Sequence, residues 1–329
     1  MRAWVSGQTP GIATLSISEV KLPIANETNM LVRVTHGALN FSDLLMIADQ
    51  YQIRPPRPFT PGQEIVGIVE EAPPASGFNK GDRIASKILW GGFAYYACVR
   101  IDMAIRVPEN FSLSQAAALP VSYITALVAL DYCAKLKPTD TVLIHAAAGG
   151  VGLAAVEVAA TRGATIIATA GAQNRLDAAV AHGANHGINY RDDTWIEQVK
   201  NLTDGRGVDV ILDPVGGKIG ENSLKCIALD GKLLIVGFSS GKMPTLAPHR
   251  LLLKRASAIG VYWNHDTDQK LVTETTWELE RLVASGKINP MVDDRYGFDD
   301  LPLALDDLAN RRVAGKMVLR ISEIDEDLR

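Results

Sequence analysis

From residue 122 to about 260 the chain alternates wholly apolar runs with helix-like runs, and this alternation constrains the fold more than any other feature. SYITALVALDYCAKL (122–136) reads as a helix ending before Pro138, and TVLIHA (141–146) as a buried strand. GVGLAAVEVAATRG (150–163) reads as a helix of small residues stopped at Gly163, and ATIIATA (164–170) as the next strand. RLDAAVAHG (175–183) is again helical, while GVDVILDPV (207–215) and GKLLIVGF (231–238) are strands. A strand that is apolar at every position needs cover on both faces, and the helices of a doubly wound parallel sheet provide it.

The flanking segments have a different texture. LVRVTHGAL (31–39), QEIVGIVEEA (63–72), DRIAS (82–86) and AYYACVR (94–100) are short β-type runs separated by Pro and Gly, with tight turns marked at Pro61-Gly62 and Gly91-Gly92. DQKLVTETTWELERLVASGKI (268–288) reads as a long amphipathic helix and LPLALDDLANRR (301–312) as another. KMVLRI (316–321) reads as a closing strand that returns to the first domain, and the acidic tail SEIDEDLR is expected to fray.

Charge narrows the partners. Lys and Arg total 33 against 37 Asp and Glu, a net −4 with no dense basic run, which argues against nucleic acid. The three cysteines, Cys98, Cys133 and Cys226, are too few and too scattered for a disulfide framework or a thiolate metal cage, and they are expected as buried thiols in a reducing compartment. MRAWVSGQTPG carries no apolar run after its arginine, and Gly, Pro or charge breaks the apolar stretches. Neither a secretory signal nor a membrane helix is expected, and the default is a soluble cytosolic protein.

HAAAGGVG (145–152) sets Ala146-x-x-Gly149-x-x-Gly152 between a strand and a helix. Small residues there let the backbone amides of Ala148, Gly149, Gly150, Val151 and Gly152 approach a pyrophosphate at the helix N-terminus. Ala replaces the first glycine of the usual fingerprint, so the context carries the dinucleotide reading. No acidic residue lies between Glu157 and Asp177, where an unphosphorylated cofactor would want one for its ribose hydroxyls. Arg175 is instead placed to pair with a 2′-phosphate, and Tyr190 to stack or hydrogen-bond, so NADPH is the expected cofactor. A solvated helix-start role for Arg175 and a packing role for Tyr190 stay open.

Taken together, GALNFSDLLMIADQY (37–51), PFTPGQEIVGIV (58–69), KGDRI (80–84), AAALPVSYITAL (116–127), HAAAGGVG, GVDVILDPVGG (207–217) and RRVAGKMVL (311–319) resemble the zinc-free quinone oxidoreductase (zeta-crystallin-like) branch of the medium-chain dehydrogenase/reductase superfamily. The resemblance implies a GroES-like, mainly β catalytic domain over 1–120 and 265–329, into which a Rossmann domain (121–264) is inserted. Zinc-dependent relatives carry Cys where this chain has Asn40, and His where the turn Pro61-Gly62-Gln63-Glu64 has Gln63. Their third ligand falls near Val121, and no Cys-x-x-Cys occurs. His182-x-x-x-His186 has metal-like spacing but reads as an ordinary helix-end pair.

Without zinc to acidify a hydroxyl, alcohol oxidation is disfavoured. Hydride transfer to a quinone or an enone remains, with the protein orienting the reactants and stabilising a developing oxyanion. By resemblance, Asn40 lies near the nicotinamide or the substrate oxygen, and Tyr51 faces the acceptor. Thr125 meets the cofactor, Gly237, Phe238 and Ser239 border the nicotinamide, and Arg311 or Arg312 either closes on the phosphates or serves as a surface residue at a helix end. Trp90 and Trp263 are candidates for the acceptor pocket or for the core. Loop-backbone satisfaction by Asn40 and packing by Tyr51 remain alternatives. An enone or enoyl-thioester reductase and a non-catalytic NADPH-binding sensor or crystallin-like protein are the competing readings. A homodimer through ASAIGVYW (256–263) is expected by analogy.

Overall fold

The computed structural model describes residues 1–323; the rest of the acidic tail, 324–329, lies outside the described residues. The chain divides into two units, one of Met1–Val121 with Pro290–Arg329 and one of Ser122–Asn289.

In the first unit β1 (Arg2–Ser6) and β2 (Leu15–Glu19) form an antiparallel pair. Five further strands follow before the chain leaves: β3 (Asn29–Ala38), β4 (Glu64–Glu71), β5 (Arg83–Lys87), β6 (Tyr96–Arg100) and β7 (Ala104–Arg106). Helix α1 (Phe41–Ile47) leads away from the end of β3, and the single turn α2 (Leu113–Ala116) ends this part. The Pro-Gly and Gly-Gly signals prove to be partners: Gly91 N–H donates to Thr60 O at 2.8 Å, Gly92 N–H to Gly62 O at 2.9 Å and Phe93 N–H to Pro61 O at 2.9 Å. Gly62 has φ 104°, and a Cβ there would fall 2.6 Å from Phe93 N, so both conformation and space require glycine.

The helix expected at 122–136 is longer and less regular. Helical structure runs from Leu113 to Ala134, and its most apolar stretch is long enough to cross a membrane, with 78% of it buried inside the protein. Pro120 lies inside it. After α2, only Ile124–Leu127 (α3) is regular α-helix; Leu119–Tyr123 and Val128–Ala134 widen to π-type turns. A proline lacks the N–H for the ordinary ladder, and a widened turn accommodates that loss.

The second unit is the doubly wound sheet. Strands β8 (Thr141–Ile144), β9 (Thr165–Ala170), β10 (His186–Asn189), β11 (Val208–Asp213), β12 (Ile227–Ile235) and β13 (Ser257–Gly260) are all parallel, in the order β10-β9-β8-β11-β12-β13. Helices α4 (Gly150–Thr161), α5 (Gln173–Ala181), α6 (Trp195–Leu202), α7 (Gly217–Ser223) and α8 (Pro248–Lys254) alternate with them. Val142, Leu143 and Ile144 of β8 are fully buried, as apolar runs covered on both faces require. Strand order reverses between β8 and β11, the switch point beside which doubly wound sheets place ligands. At the far edge β13 pairs on one side only among the described residues, and Leu252, Leu253 and Tyr262 nearby are 77%, 74% and 74% exposed.

The return to the first unit comes at 290, later than the expected 265. Helix α9 (Gln269–Ala284) packs on α3, and Arg162 Nη2 pairs with Glu278 at 2.7 Å and with Asp131 at 2.7 Å, which ties α9 to the second unit. After it, β14 (Val292–Gly297), α10 (Leu301–Ala309) and β15 (Lys316–Arg320) complete the first unit, whose larger sheet runs β14-β15-β3-β4-β5-β7, with β6 also on β3. Trp4, Met30, Phe93, Tyr296, Phe298 and Leu305 share its core, each worth about 1.5–3 kcal/mol when buried. The cysteines are unbonded, but only Cys226 is buried; Cys98 and Cys133 are partly exposed, a correction to the expectation of three buried thiols.

Candidate active site

The dinucleotide loop leaves β8 at the switch point. Ala146, in place of the usual first glycine, still takes the left-handed conformation glycine would favour, with φ 48°. The turn is pinned: Ala147 N–H donates to Thr169 O at 3.0 Å and Gly149 N–H to Ala146 O at 2.9 Å. A Cβ on Gly152 would fall 2.2 Å from Ala146 O, so helix and turn meet backbone to backbone. Among the described residues no side chain caps the N-terminus of α4, and its first turn carries no acid. Its leading N–H groups thus suit a bound anion such as a pyrophosphate.

A buried histidine braces this loop from below. His145 Nε2 is 2.8 Å from Ser223 Oγ and Nδ1 is 2.7 Å from Thr169 Oγ1. Ser223 Oγ donates to Ile219 O at 2.7 Å, so it accepts from Nε2–H and leaves Nδ1 to accept from Thr169. Burial pushes the imidazole pKa down to about 4, against a smaller raising effect of Asp213, so the ring is neutral.

Around the end of β9, Gly171 has Tyr190 and Arg191 as close neighbours. A Cβ on Gly171 would lie 3.0 Å from Arg191 Nε and 3.3 Å from Tyr190 Oη. Arg175 stands in the first turn of α5, two residues after its start. On the other side of the switch point, Asp213 Oδ1 accepts the N–H groups of Val215 (2.8 Å) and Gly216 (2.9 Å). Ser239 N–H donates to Pro214 O at 3.0 Å, which ties the segment Gly237-Phe238-Ser239 to that turn, with Phe238 39% exposed. Trp263, 8% exposed, donates Nε1–H to Thr125 Oγ1 at 3.0 Å, so the two are hydrogen-bonded partners and Trp263 is a packed residue.

In the first unit three strand ends converge. Antiparallel register sets Val318 of β15 opposite Ala38 of β3, and β3 also pairs with β4, so Asn40, Glu64 and Lys316 come together. Lys316 Nζ lies 2.6 Å from Glu64 Oε2 and donates to Asn40 Oδ1 at 2.7 Å. Asn40 Nδ2–H donates to Glu64 Oε2 at 3.1 Å, and Val121 N–H to Glu64 Oε1 at 2.7 Å. Asn40 begins α1, where Asp43 Oδ2 accepts its backbone N–H at 2.8 Å. Asp43 is fully buried, its Oδ1 has no hydrogen-bond partner among the described residues, and burial pushes its carboxyl up to about 7. Buried Gln63 accepts from Ser42 Oγ.

Residues 26–109 match the alcohol dehydrogenase GroES-like domain, and residues 150–279 the zinc-binding dehydrogenase family. Quinone oxidoreductase-like protein 2 of Rattus norvegicus is 35% identical over 311 residues, covering 93% of this chain and 89% of the relative. The chain belongs to the quinone oxidoreductase branch of the medium-chain dehydrogenase/reductase superfamily. A quinone oxidoreductase of Thermus thermophilus, described with its NADPH complex, is 32% identical with a TM-score of 0.85 over 97% of this chain and 100% of that one. An NAD-dependent alcohol dehydrogenase is 28% identical with a TM-score of 0.91 over 98% of this chain and 100% of that one. Proteins with different cofactors and reactions share this fold, so the site has to decide between them.

Against that family pattern, the expected residues fall into two groups. Ala148–Gly152, Thr125, Arg175, Tyr190 and Gly237–Ser239 belong to the second unit, and Asn40, Tyr51 and Arg311 to the first. Tyr51 is half-buried in the bend after α1, and Arg311 is exposed after α10 with φ 55°. Trp90 is 38% exposed beside Gly91. His182 Nδ1 pairs with buried Glu157 at 2.5 Å, whereas His186 is exposed on β10. Among the described residues no group of three or more His, Cys, Asp or Glu is placed to hold a metal ion. Sequence motifs alone leave Glu64, Lys316, Asp43 and Arg191 unassigned, although Asp43, Glu64 and Lys316 stand inside three of the quoted family segments.

Proposed function

We propose that this chain is a zinc-independent, NADPH-dependent reductase of a quinone or a related activated acceptor. The observation that carries the reading is the Asn40–Glu64–Lys316 cluster. Where zinc-dependent relatives place metal ligands, this chain has the amides of Asn40 and Gln63 and, beside Asn40, a buried ammonium paired with a carboxylate. That set supplies hydrogen-bond donors and suits an already electrophilic acceptor better than an alcohol needing ionisation.

The close approach at Gly152 and the uncapped start of α4 fit a dinucleotide pyrophosphate. Arg191, Tyr190 and Arg175 are the groups for a 2′-phosphate, two of them guanidinium donors. When bound, NADPH supplies a hydride to the acceptor. Asn40 offers an N–H to the acceptor oxygen as negative charge develops there, and solvent delivers the proton.

The test is acceptor-dependent oxidation of NADPH across a quinone panel and an enone panel. Turnover of quinones is expected, with NADPH preferred over NADH and the preference cut roughly tenfold by Arg191→Ala, the loss of one charge-assisted hydrogen bond. Activity confined to enones would move the assignment to an enone reductase; tight NADPH binding with no turnover would favour the sensor reading.

The unpaired edge of β13, with exposed Leu252, Leu253 and Tyr262, supports a homodimer in which β13 pairs with its counterpart in a second copy. Sedimentation equilibrium is expected to give twice the chain mass, and Tyr262→Asp to shift it toward one; a single-chain mass for the unaltered protein would remove the proposal.

A further inference from the structure

Asn40 can serve an acceptor oxygen only if its amide presents nitrogen, and an asparagine amide can turn over. Here its neighbours choose the orientation. Lys316 Nζ has protons and no acceptor, so the atom 2.7 Å away from it must be oxygen. Glu64 Oε2 accepts, so the atom 3.1 Å from it must be nitrogen. Turning the amide would set donor against ammonium and oxygen against carboxylate, with both partners almost wholly buried at 5% and 0% exposure. Asn40 itself is half-buried and reachable. Among the described residues its remaining Nδ2 proton has only Ala38 O at 3.4 Å, the outer limit of a hydrogen bond.

We propose that Lys316 is a positioning residue for the reaction: anchored on Glu64, its ammonium takes Asn40 Oδ1 and leaves the amide only an N–H to offer a quinone carbonyl. This rests on the proposed role of Asn40 as donor. The ion pair thus acts through Asn40. Lys316 starts β15, Glu64 starts β4 and Asn40 follows β3, so the strand register holds all three.

The experiment uses the full chain with NADP⁺, which cannot reduce the quinone, and 9,10-phenanthrenequinone as the probe. The infrared C=O stretch of the bound quinone is recorded, and kcat and KM are then measured with NADPH. In the unaltered protein a hydrogen bond from Asn40 lowers the C=O frequency, and Asn40→Ala abolishes the shift. Lys316→Met leaves Glu64 buried and unpaired and risks misfolding, so the charge-neutral pair Lys316→Met/Glu64→Gln carries the test. That variant is expected to lose or split the shifted band as the amide samples both orientations. Its kcat should fall by roughly tenfold or more with little change in KM or NADPH affinity. A folded double variant that keeps the native band and kcat, while Asn40→Ala loses both, would overturn the positioning role alone. An unchanged band and kcat in Asn40→Ala would instead overturn the donor reading, and the positioning role with it.

Discussion

Gly152→Ala is expected to weaken NADPH binding by roughly a hundredfold or more, which corresponds to losing about two charge-assisted hydrogen bonds. The added methyl would sit 2.2 Å from Ala146 O, 2.8 Å from Ala146 C and 2.9 Å from Ala147 Cα, all of them backbone. The turn cannot retreat, because Ala147 N–H is held by Thr169 O and Gly149 N–H by Ala146 O. The first turn of α4 has to swing away and takes its N–H groups with it. Overpacking of this kind also costs about 1–3 kcal/mol of stability. Gly149→Ala is the control: its Cβ would approach only Ala146 O, at 3.3 Å, so the fold is expected to hold with a small change in Tm. Fluorescence titration with NADPH alongside thermal unfolding checks both. Native affinity in Gly152→Ala would show that the cofactor does not use this helix start.

Much of the second unit was readable because its signals are local. An apolar run followed by small residues reports strand, turn and helix within thirty or so neighbours, and β8, α4 and β9 lie close to where the pattern set them. Pairing information is not local, and the missed residues depend on it. Lys316 reaches Asn40 across 276 positions, and only the β15–β3 register brings them together. Arg191 meets Gly171 because β10 lies beside β9, which no run of residues states. The return at 290 was hidden for a similar reason. α9 is amphipathic whichever unit it covers, and the Arg162–Glu278 pair that assigns it spans 116 positions. The helical stretch before residue 122 is not legible either, since widened turns there absorb Pro120, a residue that ordinarily ends a helix.

Acidification from pH 6.5 to 4 is expected to destabilise the protein chiefly through His145 and His36. Burial, the largest cause for both, lowers each folded pKa from 6.5 to about 4; Asp213 opposes it at His145, and Asp294 at His36, where Arg320 lowers it further. Above pH 6.5 neither state holds the proton and the histidines contribute no pH dependence. Between 6.5 and 4 the unfolded chain binds protons that the folded chain refuses, so stability falls as pH falls. A shift of this size is worth at most about 3 kcal/mol per histidine. Asp43 runs the other way. Burial raises its folded pKa from 3.8 to about 7, so the folded chain holds a proton that the unfolded chain lacks in that interval, and stability rises as pH drops from 7 toward 4. One carboxyl therefore offsets about one histidine, and the other sets the net loss. The roles separate in variants followed by Tm between pH 8 and 4.5. His145→Gln loses ring packing at pH 7 but does not titrate, so its deficit should narrow by roughly 5–10 °C toward pH 4.5. Asp43→Asn should gain on the unaltered protein as pH rises from about 4.5 to 7 and level off above 7. A His145→Gln deficit that stays constant across the range would mean that the ring is protonated inside the fold, contrary to its Nε2–H contact with Ser223 and its Nδ1 acceptance from Thr169.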